Sequence, residues 1–89
     1  MQIIYDANNI NKNYLNAYVQ FYYDGKRLHL YNTIYNKEVV LSGSEKILQQ
    51  LIRLLMQGVD DKKLIDILKK ISKNPDSLYE YLLQNFIIE

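Results

Sequence analysis

The chain has 89 residues, a formal charge of +1 from eleven Lys+Arg and ten Asp+Glu, a single His and no Cys. That length supports one hydrophobic core, and 48% hydrophobic with 24% charged residues is a globular composition and not a disordered one. The absence of cysteine excludes a disulfide scaffold, a thiolate metal site and a cysteine nucleophile, and the near-neutral charge gives little long-range attraction for nucleic acid or anionic lipid.

In chain order, Met1 to Tyr5 is a candidate short strand, and Asn8 to Asn13 reads as a loop. The start has no cationic region followed by an apolar run, so it does not read as a signal peptide. The longest apolar runs are three residues, against the roughly 20 that span a bilayer. Residues 1–16 are therefore read as an extra strand and loop, 17–41 as sheet and 42–89 as helices. In the sheet region, Tyr18 to Tyr23 is β-branched and aromatic, and it runs into Asp24-Gly25, the signature of a type I′ hairpin. The return strand, Lys26 to Tyr31, alternates: Leu28 and Leu30 on one face, Arg27, His29 and Tyr31 on the other. Asn32 to Asn36 reads as a second turn. A third strand, Lys37 to Leu41, places Val39 and Leu41 on one face and Glu38 and Val40 on the other.

Beyond Ser42 the apolar period changes from two to 3.6. Ser42 and Glu45 fit a capping box, which opens a helix carrying Ile47, Leu48, Leu51, Ile52, Leu54 and Leu55. Gly58 supplies a stop, and Asp60 is placed to cap a second helix with Leu64, Ile65, Ile67, Leu68 and Ile71 inward. Asn74-Pro75-Asp76 is a cap, a first-turn proline and a favourable acid. It opens a third helix to about Asn85, with Leu78, Tyr81 and Leu82 as its face. Phe86-Ile87-Ile88 then closes the chain, extended or frayed. Three antiparallel strands followed by three helices make one α+β domain over residues 1–89, of winged helix-turn-helix type.

The passage Glu38-Val39-Val40-Leu41-Ser42-Gly43, then Ile47 to Ile52, Gly58-Val59-Asp60, Leu64 to Leu68 and the closing Leu82 to Ile88 resembles the PqqD-like fold. These domains are precursor-peptide recognition elements of ribosomally made, post-translationally modified peptides, bacteriocins among them. The Asn85 to Ile88 ending is similar to domains that precede ThiF-type adenylating enzymes. The resemblance implies a cytoplasmic adaptor with no catalytic residues, metal or cofactor. Its partners would be a precursor's leader peptide and a modifying enzyme, separate or fused. It implies that the leader pairs with the edge of the third strand, at Lys37, Glu38, Val39, Val40 and Leu41. The facing third helix would offer Tyr79, Leu82, Leu83 and Phe86. An exposed strand edge suits such pairing, because its unpaired N–H and C=O groups accept an extended peptide.

Other readings stand beside this one. Tyr79, Leu83 and Phe86 follow at i, i+4 and i+7, and a helix apolar over half its circumference would place them all in the core. Val40 points away from Val39 and Leu41, yet a solitary exposed valine is common. Lys62, Lys63, Lys69, Lys70 and Lys73 cluster on and after the second helix, as in a DNA-reading winged helix. Asp60, Asp61 and Asp66 interrupt them, which is the mark of a solvated face, so nucleic acid is not expected. A protein–protein module of another kind is a further alternative. His29 has no Ser or carboxylate at a suggestive spacing and reads as a surface residue. Gly25, Gly43 and Gly58 lie too far apart for a phosphate loop. The nine tyrosines fit either a binding surface or the codon usage of an AT-rich genome.

Overall fold

A computed structural model describes residues 12–89; the expected Met1 to Tyr5 strand and residues 8–11 of the Asn-rich loop lie outside them. The elements run β1 (Lys12–Asn13), β2 (Val19–Tyr23), β3 (Arg27–Asn32), β4 (Lys37–Ser42), α1 (Glu45–Gln57), β5 (Val59–Asp60), α2 (Asp61–Leu68) and α3 (Pro75–Gln84). The domain is α+β, with a three-stranded antiparallel sheet in the order β2-β3-β4. The strands and helices are not cleanly segregated as expected. β5 lies between α1 and α2 and pairs with β1, Lys12 opposite Asp60 and Asn13 opposite Val59.

The alternation in β3 and β4 builds the core as the residue pattern dictates. Leu28, Leu30, Val39 and Leu41 are buried on one face, against Leu48, Leu51, Ile52 and Leu55 of α1. Leu64, Ile67 and Leu68 of α2, Leu82 of α3 and the terminal Ile87 and Ile88 complete the same cluster. The β2–β3 turn differs from the expected type I′ geometry. Positive φ is needed only at Gly25 (97°). Asp24 instead caps the turn, its carboxylate accepting the Lys26 and Arg27 amides at 2.9 and 2.8 Å. That short polar side chain offers the backbone an alternative to a second left-handed residue.

The helix ends also depart from expectation. Ser42 completes β4, so the cap of α1 is Ser44, whose hydroxyl accepts from the Ile47 amide. Asp60 caps α2 as anticipated, accepting from Lys63 N–H. Asn74 occupies the cap position of α3 without a side-chain hydrogen bond, leaving Pro75 and Asp76 to favour that end. On α3 the inward face is Leu78, Tyr79 and Leu82, while Tyr81 is exposed. A rotation of about 100° per residue lets Leu78 and Leu82 share a face with Tyr79 or with Tyr81 but not both.

The closing residues are anchored and not frayed. Phe86 N–H donates to Leu83 O and Ile87 N–H to Leu82 O, the paired bonds of a Schellman ending, with Phe86 at φ 57°. Leu15 then pairs with Ile88, and Tyr14 and Glu89 exchange two backbone bonds of 2.9 Å. The segment before β2 is thus a clip. It joins β5 through Asn13, α1 through the Leu55 carbonyl (3.0 Å from Leu15 N) and the end of α3 through Ile87.

Candidate functional site

Among the described residues β4 pairs with β3 on one side only and forms an edge of the sheet. Which of its backbone groups are free follows from the ladder. Asp24 N–H donates to Arg27 O and Thr33 N–H to Tyr18 O, so the odd-numbered residues of β3 bond to β2. The even-numbered ones, Leu28, Leu30 and Asn32, therefore bond to Leu41, Val39 and Lys37. Glu38, Val40 and Ser42 are left with N–H and C=O directed outward. Of the five edge residues expected from the sequence, two carry free backbone groups and three have theirs committed to β3. Ser42 joins the set because β4 runs one residue further than expected.

The side chains divide in the same way. Val39, Leu41 and Leu82 are buried in the core and offer no surface to a ligand. The alternation that makes a strand amphipathic, and the inward position of Leu82, put them there. Lys37 and Glu38 are exposed. Val40 is 41% exposed, Leu83 38% and Phe86 41%. Tyr79 is half-buried, and its hydroxyl donates to Asn13 Oδ1 at 2.8 Å, with Asp61 Oδ1 at 3.4 Å. Burial, reinforced by the Asp61 carboxylate, raises its pKa and keeps the phenol protonated as a donor. Tyr79 therefore serves the clip before β2, because Asn13 in turn donates to Val59 O and Asp61 Oδ1.

The Phe86 ring stacks on Tyr35 with centroids 4.2 Å apart and planes at 23°. Tyr35 lies in the β3–β4 turn, so the stack brings the end of α3 to the Lys37 end of β4. Asn32 holds the two backbones together. Its side chain is fully buried, donates to Phe86 O at 2.8 Å and accepts the Ile34 and Tyr35 amides at 2.9 and 3.0 Å. The sequence marks Asn32 only as a turn residue; an Asn opening a turn is a recognisable signal for the two amide bonds but not for the one to Phe86 at the end of α3.

On the outer face of the sheet, Tyr22, His29 and Val40 form one cross-strand row. The rings of Tyr22 and His29 are parallel, 4.4 Å apart. His29 Nε2 donates to Asp24 Oδ2 at 2.7 Å, while its Nδ1 is buried without a partner and lies 3.8 Å from Glu38 Oε1. His29 is thus built into a cluster, contrary to the plain surface position expected of it. The His29 hydrogen bond, followed by the Arg27 and Lys26 amides, holds the Asp24 carboxyl well below the usual carboxylate range.

A cleft of about 440 Å³ lies at the opposite edge of the sheet, between β2 and α1. It is absent from the sequence-based expectations, although Arg53 and Met56 stand on α1 outside its buried stripe and Phe21 is exposed on the core side of β2. The lysines of α2 are exposed beside Asp61 and Asp66, with Lys69 Nζ 3.7 Å from Asp66 Oδ1. Among the described residues there is no cluster of three metal-ligating side chains and no helix long and apolar enough to cross a membrane. No protein-family model, curated protein or solved structure matches the chain.

Proposed function

We propose that this chain is a winged-helix-type, PqqD-like recognition domain that binds the leader of a ribosomally made precursor peptide by strand addition to β4. The complex would be delivered to a modifying enzyme, separate or fused, with no chemistry carried out by this domain itself. The observation that carries the reading is the free edge of β4, with Glu38, Val40 and Ser42 directing backbone donors and acceptors outward. An incoming extended segment gains hydrogen bonds from these groups and selectivity from the side chains that flank them.

Phe86 adds support. A bulky residue at φ 57° is disfavoured by roughly 1–2 kcal/mol relative to glycine. Retaining a half-exposed ring there suits a contact outside the domain's own core. Leu83, one turn earlier on α3, and Val40 on β4 supply further unburied apolar surface. Near-neutral charge fits recognition through backbone pairing and apolar contacts, in which long-range steering matters less.

The test is binding of the leader encoded by a short reading frame beside this gene. Val40→Asp and Leu83→Glu are each expected to weaken it at least about tenfold, or roughly 1.4 kcal/mol, with unchanged circular dichroism and melting. Two folded variants that bind normally would place the groove elsewhere. If no such leader binds the intact chain, the functional reading fails.

A further inference from the structure

The other edge of the sheet is formed by β2, which among the described residues has β3 on one side only. By the same ladder phase, Tyr18, Gln20 and Tyr22 bond inward, and the backbone groups of Phe21 and Tyr23 point outward. α1 borders this edge, with Phe21, Tyr22 and Tyr23 across a cleft from Ile52, Arg53 and Met56. The 440 Å³ cleft lies between Phe21, Tyr23, Ile52, Arg53 and Met56. A second, of about 290 Å³, continues it past Phe21 and Met56 towards Val19 and Ala17. A third, also about 290 Å³, lies on α1 alone, between Lys46, Gln49, Gln50 and Arg53, and meets the first at Gln49 and Arg53.

The first two clefts share Phe21 and Met56 and form one trough beside this strand edge, and its two ends differ in chemistry. Towards Val19 the walls are apolar: Phe21 is 42% exposed although it lies on the core side of its strand, and Met56 is 63% exposed. Towards the β2–β3 turn the helix presents Lys46 and Arg53, spaced i and i+7 on one face. Neither makes an ion pair among the described residues, whereas the nearby Glu45 carboxylate is engaged by Gln49 Nε2 at 3.1 Å. An extended backbone seated here would meet free amides and carbonyls on one side, an apolar pocket at one end and unpaired cations at the other.

We infer that the β2–α1 trough binds an extended acidic segment of a partner polypeptide, pairing with β2, with an apolar side chain between Phe21 and Met56 and a carboxylate at Arg53. Charge complementarity selects this occupant. A basic segment would meet Lys46 and Arg53 as like charges, and a second copy of this chain paired β2 to β2 would bring the same cations with it. Guanidinium suits the task, because its planar donors bind a carboxylate through two bonds. The site is distinct from the β4 edge, so the domain could hold a leader on one side of its sheet and a protein segment on the other.

The experiment titrates the 15N-labelled chain with an eight-residue capped peptide alternating leucine and glutamate. A matched peptide with lysine in place of glutamate is run alongside. The expected result is saturable amide shifts at Phe21 and Tyr23 with the acidic peptide and at least tenfold weaker binding of the basic one. Arg53→Glu should reverse that order, and Met56→Glu should weaken both; each residue is exposed, so the fold should be kept. Equal binding of the two peptides, shifts confined to Glu38, Val40 and Ser42, no shifts at all, or shifts that follow dimer formation in sedimentation would each overturn the inference. Leader binding at β4 is tested separately, with the leader itself as ligand, so the failure of this inference and the failure of that reading are told apart.

Discussion

Single polar side chains hold the parts of this sheet in place. Asn32 makes three hydrogen bonds from a fully buried position, and Asn13 joins β1 to β5 while receiving the Tyr79 hydroxyl. Asp24 does comparable work at the surface, and its effect is visible through pH. Its folded pKa lies below the ordinary carboxylate value of about 3.9, first because of His29 and then because of the Arg27 and Lys26 amides. A depressed carboxyl contributes stability that is present above the unfolded pKa and lost as pH falls below it. The urea midpoint should therefore decline between about pH 4 and pH 2, and Asp24→Asn should flatten this limb. An unchanged limb in that variant would remove Asp24 as a source. At the other end of the scale, the raised Tyr79 pKa gives stability that is lost as pH climbs above about 10.

The elements themselves were largely legible from the residues, and their joints were not. The end of α3 makes the difference testable. Its Schellman bonds require a left-handed residue, and the chain places Phe86 there. Phe86→Gly should consequently be more stable than Phe86→Ala by about 1 kcal/mol, measured by chemical denaturation; equal stability, or a more stable Ala variant, would contradict the left-handed ending. No local pattern announces such an ending without glycine or asparagine, which is why the final residues read as frayed. The alternation of Leu28, Leu30, Val39 and Leu41, by contrast, foretold both the strands and their buried face, since a period of two admits one arrangement over a core. β1 and β5 escaped notice because two residues each carry no periodicity. They exist through tertiary pairing alone. Helical spacing alone could not decide between Tyr79 and Tyr81, and the Asn13 and Asp61 partners of Tyr79 that distinguish them lie 66 and 18 residues away.

At the scale of the molecule, the three strands have two open edges among the described residues, and the domain treats them differently. The β4 edge approaches the end of α3 through the Tyr35–Phe86 stack, whereas the β2 edge is bordered by α1, which sets Arg53 and Met56 beside it. Of the residues that the sequence pointed to, Val40, Leu83, Phe86, Lys37 and Glu38 stay at the surface, while Val39, Leu41 and Leu82 belong to the core. Strand parity made part of this division available in advance. The choice between edges was not, because it depends on which helix flanks which strand. Backbone hydrogen exchange of the intact chain with and without a leader peptide that it binds tests the central claim most directly. Leader binding at β4 should slow exchange at Glu38, Val40 and Ser42, the alternate amides that β3 leaves free, with little change at Lys37, Val39 and Leu41. Slowing at Phe21 and Tyr23 instead, with those β4 amides still exchanging freely, would contradict it.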